Sequence, residues 1–137
     1  MPKKKYTNEY FDKHKESYAE EIMTIQSVFY ENTGNLINNT IKNSLKVLDI
    51  GNGGVINYSF NHLETLVCAD LSVSQTAIKK YINNSNVKFV KADILDLQNF
   101  SNGEFDTVIV QAVLHHLAGS TLIKTNKNVE KAIIECW

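Results

Sequence analysis

Arginine is missing from this chain of 137 residues: all 14 of its basic residues are lysines. The planar guanidinium that grips phosphate and carboxylate through two parallel hydrogen bonds is therefore unavailable, which weighs against a phosphate-rich ligand. Asparagine is abundant, as in Asn38-Asn39 and Asn83-Asn84, and both biases fit an AT-rich coding sequence better than a chemical demand. Cysteine is scarce. Cys68 falls inside an apolar run and Cys136 near the C-terminus; two cysteines without ligand-like spacing make neither a disulfide framework nor a zinc site, so no metal is expected. No stretch of 18 apolar residues and no secretory leader pattern is present, so neither a membrane span nor export is signalled and a cytoplasmic protein is expected. Charge of one sign is not in excess either. The formal net charge is −1, which lacks the footprint of a nucleic-acid partner. Lys3-Lys4-Lys5 reads as a solvated tail.

What is there is a regular alternation. Apolar residues make up 43% of the chain, enough for one packed domain. Residues 6–30 show Tyr10, Phe11, Tyr18, Ile22, Ile25 and Phe29 near helical spacing with charges between them. Asn32-Thr33-Gly34-Asn35 is expected to break that helix, with a second short helix over 36–43. Strands are expected at 45–50, 65–69, 87–92 and 105–110, and helices at 55–62, 73–83, 112–117 and from Asn126 or Asn128 onward. Strands alternating with helices give right-handed crossovers and a parallel sheet, here a doubly wound α/β fold. Residues 1–44 would form N-terminal lid helices and residues 45–137 the sheet domain.

Chemistry gathers at the strand ends. Val47-Leu48-Asp49-Ile50-Gly51-Asn52-Gly53-Gly54-Val55 is an apolar strand running into a glycine-rich turn, and a second acid, Asp70, closes the next strand 21 residues on. Asp49, Asp70, Asp93 and Gln111 all fall at carboxyl ends of strands, where open α/β sheets bind ligands. Such a gap suits an adenosine cofactor. A nucleotide-binding P-loop would need Gly-Lys-Ser/Thr, which is absent. A dinucleotide fold wants a third glycine at position 56, which is Ile, and no Tyr-x-x-x-Lys pair occurs. A nicotinamide-dependent oxidoreductase is thus the weaker reading. His115-His116 invites a base or metal ligand, though packing at a helix start is the commoner use of such a pair.

Four motifs in order then give a resemblance. Val47 to Gly53, Ala69-Asp70-Leu71-Ser72, Val90-Lys91-Ala92-Asp93-Ile94 and Phe105 to Leu117 resemble the class I S-adenosylmethionine-dependent methyltransferases, especially their small-molecule, ubiquinone/menaquinone-type branch. Tyr10-Phe11-Asp12 through Tyr18 resembles that family's lid helix. The resemblance implies a Rossmann-like sheet, S-adenosyl-L-methionine as cofactor, and methyl transfer to an O, N or C nucleophile of a small molecule. It also implies roles. Gly51, Asn52 and Gly53 would approach the methionine part, with Asp49 beneath its charged end. Asp70 would accept from the ribose hydroxyls. Asp93 and the Ile94 amide would read the adenine, Leu71 and Ile94 would sandwich it, and the Gln111 carbonyl would hold the cofactor's amine. Tyr10, Tyr18, His115 and His116 are the candidates for the acceptor side; no catalytic residue is singled out.

Two departures stand against that pattern. Val55 takes the place of the family's third glycine, with Gly54 just before it. The chain ends at Trp137, before the last strands of the seven-stranded fold, so a truncated or partner-completed methyltransferase is expected. The fourth strand would then be an open apolar edge, covered by a homodimer or a partner chain. A non-catalytic module that binds the cofactor or a partner is the alternative function.

Overall fold

Near-continuous apolar runs on the two central strands build a sheet covered on both faces. The computed structural model describes residues 8–137; Lys3-Lys4-Lys5 and the first residues of the expected N-terminal helix lie outside them. Two helices, α1 (Asn8–Ile25) and α2 (Ser27–Ile41), precede the strands β1 (Lys46–Ile50) and β2 (Thr65–Asp70). Helix α3 (Gln75–Lys80), strands β3 (Val87–Lys91) and β4 (Thr107–Ile109), a 3-10 turn at Leu114–Leu117 and helix α4 (Leu122–Glu135) follow. The sheet order is β3-β2-β1-β4, and every pairing is parallel.

Successive residues feed opposite cores. Leu48 and Ile50 of β1 join Val67 and Ala69 of β2, and Ala132 of α4 closes that side. Val47 of β1, Leu66 and Cys68 of β2 and Ile109 of β4 face the other way, onto Ile41 of α2 with Tyr58 and Leu63 of the crossover. The start of β4 is stitched to β1 by polar groups. The Asp106 carboxylate accepts from the Leu45 and Lys46 amides, each at 2.7 Å, and these bonds hold its pKa below the usual range. The Ser44 and Thr107 hydroxyls lie 2.8 Å apart.

Five expectations about elements are corrected. The first helix breaks at Gln26, and Asn32-Thr33-Gly34-Asn35 runs helically through α2. Gly34 is there for contact: a Cβ on it would collide with the Asn57 carbonyl. No helix forms over 55–62. The segment carries Asn57, Ser59 and Asn61, residue types that favour side-chain-to-backbone bonds over helix, and its Asn57 amide donates to Tyr30 O and Thr33 Oγ1 of α2. Helix 73–83 contracts to α3, with Ser74 as N-cap accepting from the Ala77 amide at 3.1 Å. The last helix starts at Leu122, not near Asn126, because Thr121 supplies its N-cap; Asn128 instead donates to Leu117 O at 2.9 Å. The expected helix over 112–117 is reduced to the 3-10 turn, after Ala112 takes a positive φ of 55°. Among the described residues no helix is long and apolar enough to cross a membrane.

Candidate functional site

The strand order reverses at β1: β2 and β3 lie on one side of it and β4 on the other. At such a reversal the loops leaving the carboxyl ends diverge and open a crevice, and a cleft lies there. Its floor is Ile50, Gly51 and Gly53; Asp70, Leu71 and Ser72 follow from β2, Ala92, Asp93 and Ile94 from β3, and Ala112, Val113, His116 and Leu117 from the segment after β4. Phe11, Lys15 and Tyr18 of α1 complete the wall.

The glycine turn is held open by its backbone. Gly51 has φ 73° and Gly53 φ 61°, a region that side chains with a Cβ rarely adopt. A Cβ on Gly51 would run into Val113, and one on Gly53 would stand 3.1 Å from the Tyr18 ring. Gly51 N donates to Ala69 O at 2.7 Å, and Gly53 N donates to Asp70 Oδ2 at 2.9 Å. Asp70 Oδ1 accepts from Ser72 N at 2.9 Å. Burial raises the Asp70 pKa while the amides of Ser72, Gly53 and Leu71 pull it back. Gly54 supplies the close approach that position 55 lacks: its Cβ position is 3.0 Å from Ala77 of α3, while Val55 is buried.

Asp49 stands beneath this turn and does not line the cleft. It is 2% exposed, and its Oδ2 accepts from Tyr58 Oη at 2.6 Å and Asn52 Nδ2 at 2.8 Å. Burial pushes its pKa up to about 7 against the lowering effect of those two donors. Asn52 passes the restraint on: it also donates to Val55 O and accepts from Gly54 N at 2.9 Å. Asn52 therefore braces the turn from behind.

Asp93 lines the cleft and accepts from Leu95 N at 2.9 Å; Leu71 and Ile94 line it as well. The Gln111 side chain turns away and donates to Thr33 Oγ1 of α2. On the acceptor side the structure separates the four candidates. Tyr18 and His116 line the cleft. Tyr10 packs on His14, with ring centroids 4.4 Å apart, and His115 lies against His116 at 3.8 Å; neither is part of the wall. The His116 ring meets Phe11 edge-on at 5.0 Å.

Phe11, Lys15, Ser72 and Val113 line the cleft without having been singled out as site residues. The first two were within reach: positions 11, 15 and 18 share one helical face. Nothing local to Val113 marks it, since its place depends on the segment after β4 folding back over Gly51. Electrically the cleft favours cations and hydroxyl donors. Its acids are Asp70 and Asp93, and its one lysine, Lys15, is paired with Asp12 at 2.8 Å.

Comparison with known proteins agrees with this geometry. The family model described as "Methyltransferase domain" matches residues 48–137. The fold resembles the solved structure of an O-methyltransferase family protein from Burkholderia thailandensis, at TM-score 0.68 and 17% identity. That match covers 96% of this chain and 40% of the other, so the chain spans about two fifths of its relative's length. PKMT2 from Rickettsia typhi, solved in complex with AdoHcy, is a more partial match: TM-score 0.46, 24% identity, 78% of this chain and 22% of that one. None of the curated proteins matches the chain in sequence. A partial Rossmann-like sheet, a glycine turn at its switch point and a family match over most of the chain lead to one conclusion: the chain belongs to the methyltransferase-domain family, the class I S-adenosylmethionine-dependent methyltransferases.

Proposed function

We propose that this chain is the cofactor-holding half of a methyltransferase that acts on an O, N or C nucleophile of a small molecule. The observation that carries the reading is the Gly53–Asp70 contact, which joins a side-chain-free turn to a carboxylate in one cleft. The residues fit S-adenosyl-L-methionine. The positive-φ glycines bring the turn's bare backbone close under Val113 and Tyr18, where a Cβ would collide, and the acids suit a ligand rich in hydroxyl and amino donors and carrying a positive charge. Asp70 would take the ribose hydroxyls, Asp93 and the Ile94 amide the adenine edge, Leu71 and Ile94 its faces, and the Gln111 carbonyl the amine. Asp49 and Asn52 would act through the turn they brace. The cofactor's sulfonium supplies an already activated methyl group, so the protein's share is alignment, which is worth about 7–11 kcal/mol when complete. His116 and Tyr18 are placed to contact an acceptor; His115 and Tyr10 would serve by supporting neighbours.

The fold argues against a dinucleotide here. Nicotinamide enzymes rest the pyrophosphate on the helix that follows the glycine turn, and residues 51–64 of this chain contain no helix. A second reading is a binding module without turnover, favoured by the short coverage of the relative. Calorimetric titration with S-adenosylhomocysteine and with NADH tests both. Micromolar binding of the first alone supports the proposal, and methyl-transfer assays on the loaded protein then separate enzyme from module. Binding of NADH alone would overturn it.

A further inference from the structure

Helix α1 walls the cleft through Phe11, Lys15 and Tyr18, yet none of its described residues is fully buried. An element with so little buried surface opens locally unless something else holds it. What holds it is the next face of the same helix. The Glu16 carboxylate accepts from Gln75 N at 3.0 Å, Thr76 N at 2.8 Å, Thr76 Oγ1 at 2.7 Å and Ser74 Oγ at 3.2 Å. All four donors belong to the cap and first residues of α3. Amides at a helix start have no partner within the helix, and here a carboxylate some sixty positions earlier in the chain supplies one. Hydrogen bonds to an ionised acceptor are about twice as strong as neutral ones, so these four add a polar anchor to the half-buried apolar contacts of α1.

We propose that Glu16 is a positioning residue that latches α1 shut over the cleft, and that its release from the start of α3 sets the rate at which ligand enters and leaves. The latch stands on contacts within the chain. Its effect on ligand exchange rests on the cofactor reading above.

Two variants of the full chain test it. Glu16→Gln keeps the size and loses the charge, and Glu16→Ala loses every contact. Hydrogen exchange of the unliganded protein reads the latch directly. In Glu16→Ala the amides of α1 should exchange about tenfold faster, the scale of lost bonds to a charged group, with Glu16→Gln in between. The amides of β1 and β2 should be unmoved. Unchanged α1 exchange, or acceleration spread evenly over the sheet, would overturn the latch. Stopped-flow binding of S-adenosylhomocysteine reads the gate. Association and dissociation should both quicken by about tenfold in Glu16→Ala, while the dissociation constant moves far less, because a gate scales both rates. Faster dissociation alone would mean a lost ligand contact and would overturn the gating role. A wild-type chain that binds no S-adenosylhomocysteine overturns the cofactor reading and the gate with it, and leaves the exchange experiment to decide the latch.

Discussion

Asp49 and Asp70 lie near the ends of neighbouring strands two residues apart in register, yet they face different surroundings. Asp70 opens onto the cleft and holds Gly53 and Ser72 by their amides. Substituting alanine should weaken S-adenosylhomocysteine binding by roughly 1.5–3 kcal/mol, the value of hydrogen bonds to a charged group. Asp70→Asn, which keeps an acceptor for the turn, should lose less; calorimetry on both variants would show it. Asp49 is sealed under the turn, and its native pKa of about 7 lies above the ordinary 3.8. The native protein therefore keeps a proton that the unfolded chain gives up, and stability falls as pH rises between those two values. Below the lower value both states are protonated, and above the upper one both are ionised, so the slope vanishes outside the window. Urea denaturation at pH 4, 5.5, 7 and 8 should show this decline in the wild type and its loss in Asp49→Asn, which has no carboxyl to titrate.

At the scale of elements, contacts overrule local preference in several places. Gly34 is a residue that weakens an isolated helix by about 1 kcal/mol relative to alanine, and propensity alone would make Gly34→Ala stabilising. In the fold an added methyl group strikes the Asn57 carbonyl, a backbone atom with little freedom to retreat. The same substitution should therefore destabilise by about 1–3 kcal/mol, the usual cost of overpacking, as a drop in denaturation midpoint. The crossover from β1 to β2 makes the same point. Its apolar Val55, Tyr58 and Leu63 are buried, but they are delivered by an irregular chain braced on α2 rather than by a helix of its own. Sequence periodicity marks such residues as inward-facing, and it does not say which neighbour will satisfy their backbone.

Over the whole molecule, the two flanks of the sheet differ. On the β4 side α4 leaves Leu122 and Ile123 at its start and Ile133 and Ile134 at its end exposed, and Trp137 beyond it is fully open. Together with the edge of β4, which among the described residues pairs with β1 alone, this is the surface on which self-association should occur. Light scattering should show concentration-dependent association of the wild-type chain. Replacing Ile133 and Ile134 by lysine should reduce it by adding charge without touching the buried Ala132.

The architecture was legible in the sequence because its signals are local and repeated. Short, largely continuous apolar runs marked the four strands, and acids at strand ends drew attention to Asp70 and Asp93, which line the cleft. Glycines at 51 and 53 announced a turn that only they can make, since the need for positive φ belongs to the residue itself. Helix boundaries were not legible where a tertiary partner decided them, as for Gly34 against Asn57; Thr121 at the head of α4 is a local cap that the periodicity of the following residues did not reveal. Nor was the division between Asp49 and Asp70, because two identical carboxylates at strand ends differ only in what is packed around them. The capping of α3 by Glu16 lay still further out of reach. A carboxylate on an exposed helical face looks like every other solvated charge until the fold sets a row of unpaired amides opposite it. Composition and spacing thus determined which strands form and where the turn must be, and the chemistry was suggested by the resemblance that the motifs carry. Tertiary structure decided which acid lines the cleft and which helix covers it, because burial and long-range hydrogen bonds exist only once distant segments are packed together.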